Sequence, residues 1–115
     1  MIPNRLFDTI ENDKPYFLEE GIVPPNEKVI NYASELLSIL ILNQIIPAKI
    51  STLAEEGIAF KFQRETKVMH FEIYNNGEIG YIVEDFKQKK TLDNKDIFSF
   101  EEAFDSINGF LSQTA

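Results

Sequence analysis

The sequence predicts a two-layer α+β domain: a long helix, an antiparallel β-meander of three to four strands, and a C-terminal amphipathic helix. Three observations predict it. The middle of the chain alternates apolar and polar residues with period two over three consecutive segments. A polar stripe at helical spacing precedes them, behind Pro24-Pro25. A Ser-x-x-Glu capping box opens an apolar helical repeat after them.

The strands are expected at Ile58–Gln63, Val68–Tyr74 and Ile79–Glu84. Ile58, Phe60 and Phe62, then Met69, Phe71 and Ile73, then Ile79, Tyr81 and Val83 share one face. A one-residue slip would turn a whole apolar set outward, so the turns follow from the pairing. With Arg64–Lys67 as a four-residue loop, Phe62 faces Met69, Phe60 faces Phe71 and Ile58 faces Ile73. A two-residue Asn76-Gly77 turn is the first choice from dipeptide preference, but it sets Glu84 opposite Met69. A three-residue loop, Asn75-Asn76-Gly77 with Gly77 left-handed, instead sets Tyr81 opposite Phe71 and Ile79 opposite Ile73. The three-residue loop is the consistent one.

The first helix is expected over 26–46, with Asn26 as its cap. Glu27, Lys28, Asn31, Ser34, Glu35 and Ser38 form the solvated stripe; Val29, Ala33, Leu36, Leu37 and Leu40 face inward. Beyond Ser38 the stripe stops, because Leu42, Ile45 and Ile46 occupy its arc. Something must cover them, either the C-terminal helix or a second copy of the chain meeting at Leu42 and Ile45. Pro47 closes the helix, and Lys49–Leu53 is a short edge strand before a Glu55-Glu56-Gly57 turn. The meander thus occupies 49–85, followed by a polar loop or hairpin arm over 86–98. Over 99–112, Ser99 and Glu102 cap a helix whose Phe100, Ala103, Phe104, Ile107, Phe110 and Leu111 form one apolar face. Residues 1–23 read as irregular, with a short helix around Arg5–Ile10.

Length bounds the rest. At 115 residues the chain is a single domain, 1–115, large enough to bury about two-thirds of its surface. It lacks cysteine, so disulfides and thiolate sites are excluded; that and the start, which shows no signal peptide, suit a cytoplasmic protein. The most apolar run, Leu36–Ile46, is too short to span a bilayer. The Lys, Ile and Asn bias suggests an AT-rich bacterial genome.

No residue set announces chemistry. His70, the only histidine, is expected on the outer face beside Glu72 and across from Lys61, where an acid–base pair would still lack a further partner. Hard-cation sites need several converging oxygens, and Glu55-Glu56 and Glu84-Asp85 read as turn acids. Neither a catalytic residue, nor a metal ligand, nor a cofactor is expected. A net charge of −8 opposes nucleic acid, despite Lys87, Lys89 and Lys90 beside Phe86. The excess negative charge lies toward the chain ends, which suits docking on a basic protein such as a toxin or nuclease. Glu101, Glu102 and Asp105 are the expected contacts, with Glu19-Glu20 as a second patch.

The stretch from Pro24-Pro25 through Glu84 also resembles a loosely defined group of small bacterial proteins. Their pattern is a Pro-flanked helix, a proline, then Gly-Ile-x-Phe-x-aromatic and a meander turning at Asn-Gly or Asp-Gly. The matching residues are Pro47, Gly57, Ile58, Phe60, Phe62, Phe71, Ile73, Asn76 and Gly77. Members often carry tryptophan where Phe62 stands and a second glycine where Glu56 stands. The group resembles the accessory, immunity and antitoxin-like proteins of mobile bacterial islands, which implies a protein-binding role.

Overall fold

The computed structural model describes residues 2–112. The elements run α1 (Ile2–Glu20), α2 (Glu27–Leu42), β1 (Lys49–Leu53), β2 (Gly57–Arg64), β3 (Lys67–Tyr74), β4 (Ile79–Asp85), β5 (Lys90–Asp96) and α3 (Phe100–Ser112). All neighbouring strands pair antiparallel in the order β1-β2-β3-β4-β5, with the helices on one face. The fold is α+β, a five-stranded meander in place of the three to four strands expected.

The register follows the apolar parity. Phe60 sits opposite Phe71 and Phe71 opposite Tyr81; Ile58, Ile73 and Ile79 form the next row and Phe62, Met69 and Val83 the one beyond. The β3–β4 loop is Asn75-Asn76-Gly77, with Gly77 at φ 94 and its amide donating to the Tyr74 carbonyl at 2.9 Å. The β2–β3 hairpin is tighter than the four-residue loop expected: Arg64 pairs with Lys67 and only Glu65-Thr66 turn, which leaves the parity unchanged.

Helix α2 buries Val29, Ala33, Leu36, Leu37 and Leu40, the inward set its sequence defines. It ends at Leu42, short of Pro47. Gln44, at φ 63, sends its amide to the Ile41 carbonyl while Ile45 reaches back to Leu40, a Schellman closure. The Asn26 side chain caps the start, accepting from the Val29 amide at 2.9 Å.

Three expectations are corrected. Residues 1–23 are not mostly irregular, since α1 is a 19-residue helix. Pro15 inside it removes a helical hydrogen bond and hides the helix from pattern reading. Tertiary packing supports it instead: Phe17 is buried, Ile10 rests against the core, and Asp13 accepts the Thr52 hydroxyl of β1. Of the loop or hairpin arm expected over 86–98, the structure forms the arm and not the loop, because Lys90–Asp96 form β5 against β4. Every β5 residue is exposed, so no alternation betrays the strand, and its charges guard a free sheet edge. Finally, α3 does not cover Leu42, which stays 83% exposed, while Ile45 packs against the core. Helix α2 is contacted by α1 as well as by α3.

Helix α3 crosses the sheet on the other flank. Phe100 stacks on Tyr32 of α2 at 4.4 Å, and Ala103, Ile107 and Phe110 are buried. At its far end the Arg64 Nε donates to the Phe110 carbonyl at 2.8 Å, a cation at the negative end of the helix dipole.

Candidate functional site

A meander sends alternate turns to opposite ends of the sheet, and that sorting separates the charges here. The β1–β2 and β3–β4 turns share one end with the start of α2. Asn75 ties them together: its amide donates to the Glu56 carbonyl at 2.8 Å, its Nδ2 to the Pro24 carbonyl at 3.0 Å, and its Oδ1 accepts from the Asn26 amide at 2.9 Å. The end of α1 leads directly into this corner. The start of α3 joins it through the Ile97 amide, which donates to the Ile79 carbonyl at 2.8 Å.

Of the expected contacts, this topology brings Glu19 and Glu20 at the end of α1 to the same end as Glu101 and Glu102 in the first turn of α3. Glu19, Glu20 and Glu101 are exposed. Asp105 is exposed too, but one turn further up α3, away from the corner. Glu102 is half-buried and committed to the cap. Its amide donates to the Ser99 hydroxyl oxygen at 3.1 Å, while its carboxylate accepts from the Phe98 amide at 3.1 Å rather than from Ser99 as a capping box would have it.

Sequence reasoning missed the acids that complete this end: Glu27, Glu55, Glu56, Glu78 and Asp96, all exposed. The sequence presents Glu55-Glu56 as turn acids, and turn parity in the meander already places that pair at the same end of the sheet as Glu78. Sequence reasoning also missed three exposed apolar residues at this end. Phe98 is 86% exposed and Leu18 87%, with Val23 between Gly21 and Pro24. Phe98 precedes the α3 cap but makes no hydrophobic staple.

The electrostatics register the convergence. Tyr74 has its phenol pushed up to about 12, first by burial, then by the hydrogen bond it donates to Glu72 at 2.9 Å, then by the charges of Glu72, Glu55 and Glu78. Burial, with Glu102 second, also raises Tyr32.

The opposite end carries the β2–β3 and β4–β5 turns, with Arg64, Lys67, Lys87, Lys89 and Lys90. Buried Asp85 organises it. Its Oδ1 accepts from the Lys87 and Gln88 amides, both at 3.0 Å, and its Oδ2 from the Thr66 hydroxyl at 3.2 Å. The Gln88 amide above all, with Thr66, Lys87 and the charge of Lys67, holds this carboxyl below the usual aspartate range against the opposing pull of burial.

His70 stands opposite Lys61 on the outer sheet face as expected, but its neighbour is different. Its Nε2 lies 3.3 Å from Glu84, whereas Glu72 is engaged by Tyr74. Among the described residues no group of three or more His, Asp or Glu is placed to hold a metal ion, and no helix is long and apolar enough to cross a membrane. No protein-family model matches the chain, and neither do curated protein sequences or solved structures.

Proposed function

We propose that this chain is a small protein-interaction module that docks a basic partner on the acidic end of its sheet. One observation carries the reading: carboxylates from six separate elements and turns lie at that end, together with exposed Phe98, Leu18 and Val23. A polar, charged rim around a few large apolar side chains is the anatomy of a protein–protein interface. The charge steers encounter with a cationic surface; the apolar residues supply the hold. An immunity or antitoxin-type inhibitor of a cationic toxin or nuclease, acting in a bacterial cytoplasm and without catalytic activity of its own, uses these properties. The resemblance of the Pro24–Glu84 stretch to that class supports it by analogy.

The test compares three baits for affinity capture from the native host, with co-purifying proteins identified by mass spectrometry: the wild-type chain, Glu20→Lys/Glu55→Lys/Glu101→Lys, and the charge-matched control Asp8→Lys/Glu35→Lys/Glu65→Lys. All six positions are exposed, so each variant keeps the fold. The expected result is one basic protein held by the wild type and the control, with affinity for the first variant reduced about 100-fold or more, since like charges across an interface cost several kcal/mol. Equal capture by all three baits would refute acidic-end docking.

A second reading has its own observation. Leu42, the last residue of α2, and Ile46 beyond its end are both exposed, apolar surface open to a second copy of the chain. Of the Leu42 and Ile45 pair expected at a dimer seam, only Leu42 is available. A concentration-independent monomer mass by light scattering removes this reading.

A further inference from the structure

The outer face of the sheet, which no helix covers, holds a hollow of about 640 Å³ below the β4–β5 turn. Its volume lies in the range of small-molecule sites, roughly 300–1,000 Å³. Val68 is its floor and only 6% exposed, although it stands on the uncovered face; half-exposed Phe86 is one wall. Lys61, Lys89 and Lys90 surround it, with His70 beside them. Two acids, Glu84 and Asp85, also line the hollow, and both are already engaged. Asp85 spends both oxygens on the turn amides and Thr66, and Glu84 lies against His70. The three ammonium groups therefore have no carboxylate within ion-pair distance among the described residues, in a chain whose net charge is −8.

The turn that carries Phe86, Lys89 and Lys90 is held firmly. Besides the Asp85 bonds, the Phe86 amide donates to the Thr66 carbonyl at 3.0 Å, locking the two turns of this end together. Lys89 sits at φ 54, a left-handed conformation that glycine would adopt without steric cost. A lysine held there keeps its charge over the hollow at the expense of local strain.

We propose that this hollow binds a small organic anion: a flat apolar body bearing one phosphate or carboxylate group. The body lies between Val68 and Phe86, and the anionic group meets Lys61, Lys89 and Lys90. A long polyanion is disfavoured, since it would also run past the chain's many carboxylates. A small anion feels chiefly the charges within about one Debye length, roughly 8 Å at physiological salt. The site lies on a different face and at a different end from the acidic docking corner, so the two stand or fall separately.

The test is an NMR titration of the whole chain with phenyl phosphate, benzoate, inorganic phosphate and benzyl alcohol. The expected result is saturable shifts at Val68, His70 and Phe86 with phenyl phosphate, benzoate or both, and at least ~5-fold weaker binding of inorganic phosphate and benzyl alcohol. Phenyl phosphate alone assigns a phosphate headgroup, benzoate alone a carboxylate. Lys61→Gln and Lys90→Gln should each weaken binding about 3- to 5-fold, the range of an exposed charge contact. Lys89→Gly should weaken it likewise while raising the thermal midpoint, because the strain is relieved. Benzyl alcohol binding as tightly as phenyl phosphate, inorganic phosphate binding as tightly as phenyl phosphate, or no saturable shift at all would each overturn the proposal.

Discussion

Gly57→Ala is expected to lower unfolding stability by about 3 kcal/mol or more, enough to threaten the fold of a domain whose total is about 5–15 kcal/mol. A Cβ at Gly57 would overlap the Ile73 carbonyl oxygen and press on the Tyr74 Cα, both backbone atoms of the adjacent strand. Backbone cannot swing aside as a flexible side chain does, so the β2–β3 ladder would have to part where Gly57 pairs with Tyr74. The neighbouring position gives the opposite result. Glu56 turns the β1–β2 hairpin at φ 71, so Glu56→Gly should gain about 1 kcal/mol by removing left-handed strain. Urea unfolding of the two variants checks both signs; equal midpoints would contradict the geometry.

Phe71→Ala is expected to cost about 3–5 kcal/mol. Phe71 is 0% exposed at the centre of the sheet, between Phe60 and Tyr81, in the same core cluster as Leu36, Leu37 and Ile107. Neighbours fixed by strand pairing on both sides cannot collapse into the space it leaves, so the cavity term adds to the lost transfer energy. Phe71→Leu, which retains most of the volume, should cost about 1.5 kcal/mol or less. The same urea titration checks the difference; a Phe71→Ala loss as small as that of Phe71→Leu would show that the core closes over the gap.

The sheet was legible because alternation and turn chemistry agree at Phe60, Phe71, Tyr81 and Gly77, and only one pairing satisfies both. The inward face of α2 was legible for the same reason, its stripe being continuous. α1 was not, because Pro15 contradicts a helix locally and the contacts that overrule it, Phe17 on the core and Asp13 on Thr52, are tertiary. β5 was not, because a strand exposed on both faces has no apolar period to read. At the candidate docking end, Glu101 and Glu102 are legible as a charged first turn and Glu19-Glu20 as a dipeptide. Their placement at one end with Glu55, Glu56 and Glu78 depends on how the turns alternate, which individual acidic residues do not reveal. Phe98 carries no sequence signal, because its solvent exposure is decided by the path of the chain into α3.

The fold sorts charge between the two ends of its sheet, and the proposed function is that the acidic end is offered to a cationic partner. An amide-resolved NMR titration with an oligolysine peptide tests it most directly. Saturable shifts confined to residues 18–27, 55–57, 75–78 and 96–102, weakening as salt is added, are the predicted result. Shifts centred on 64–67 and 86–90, or spread evenly over the surface, would contradict it.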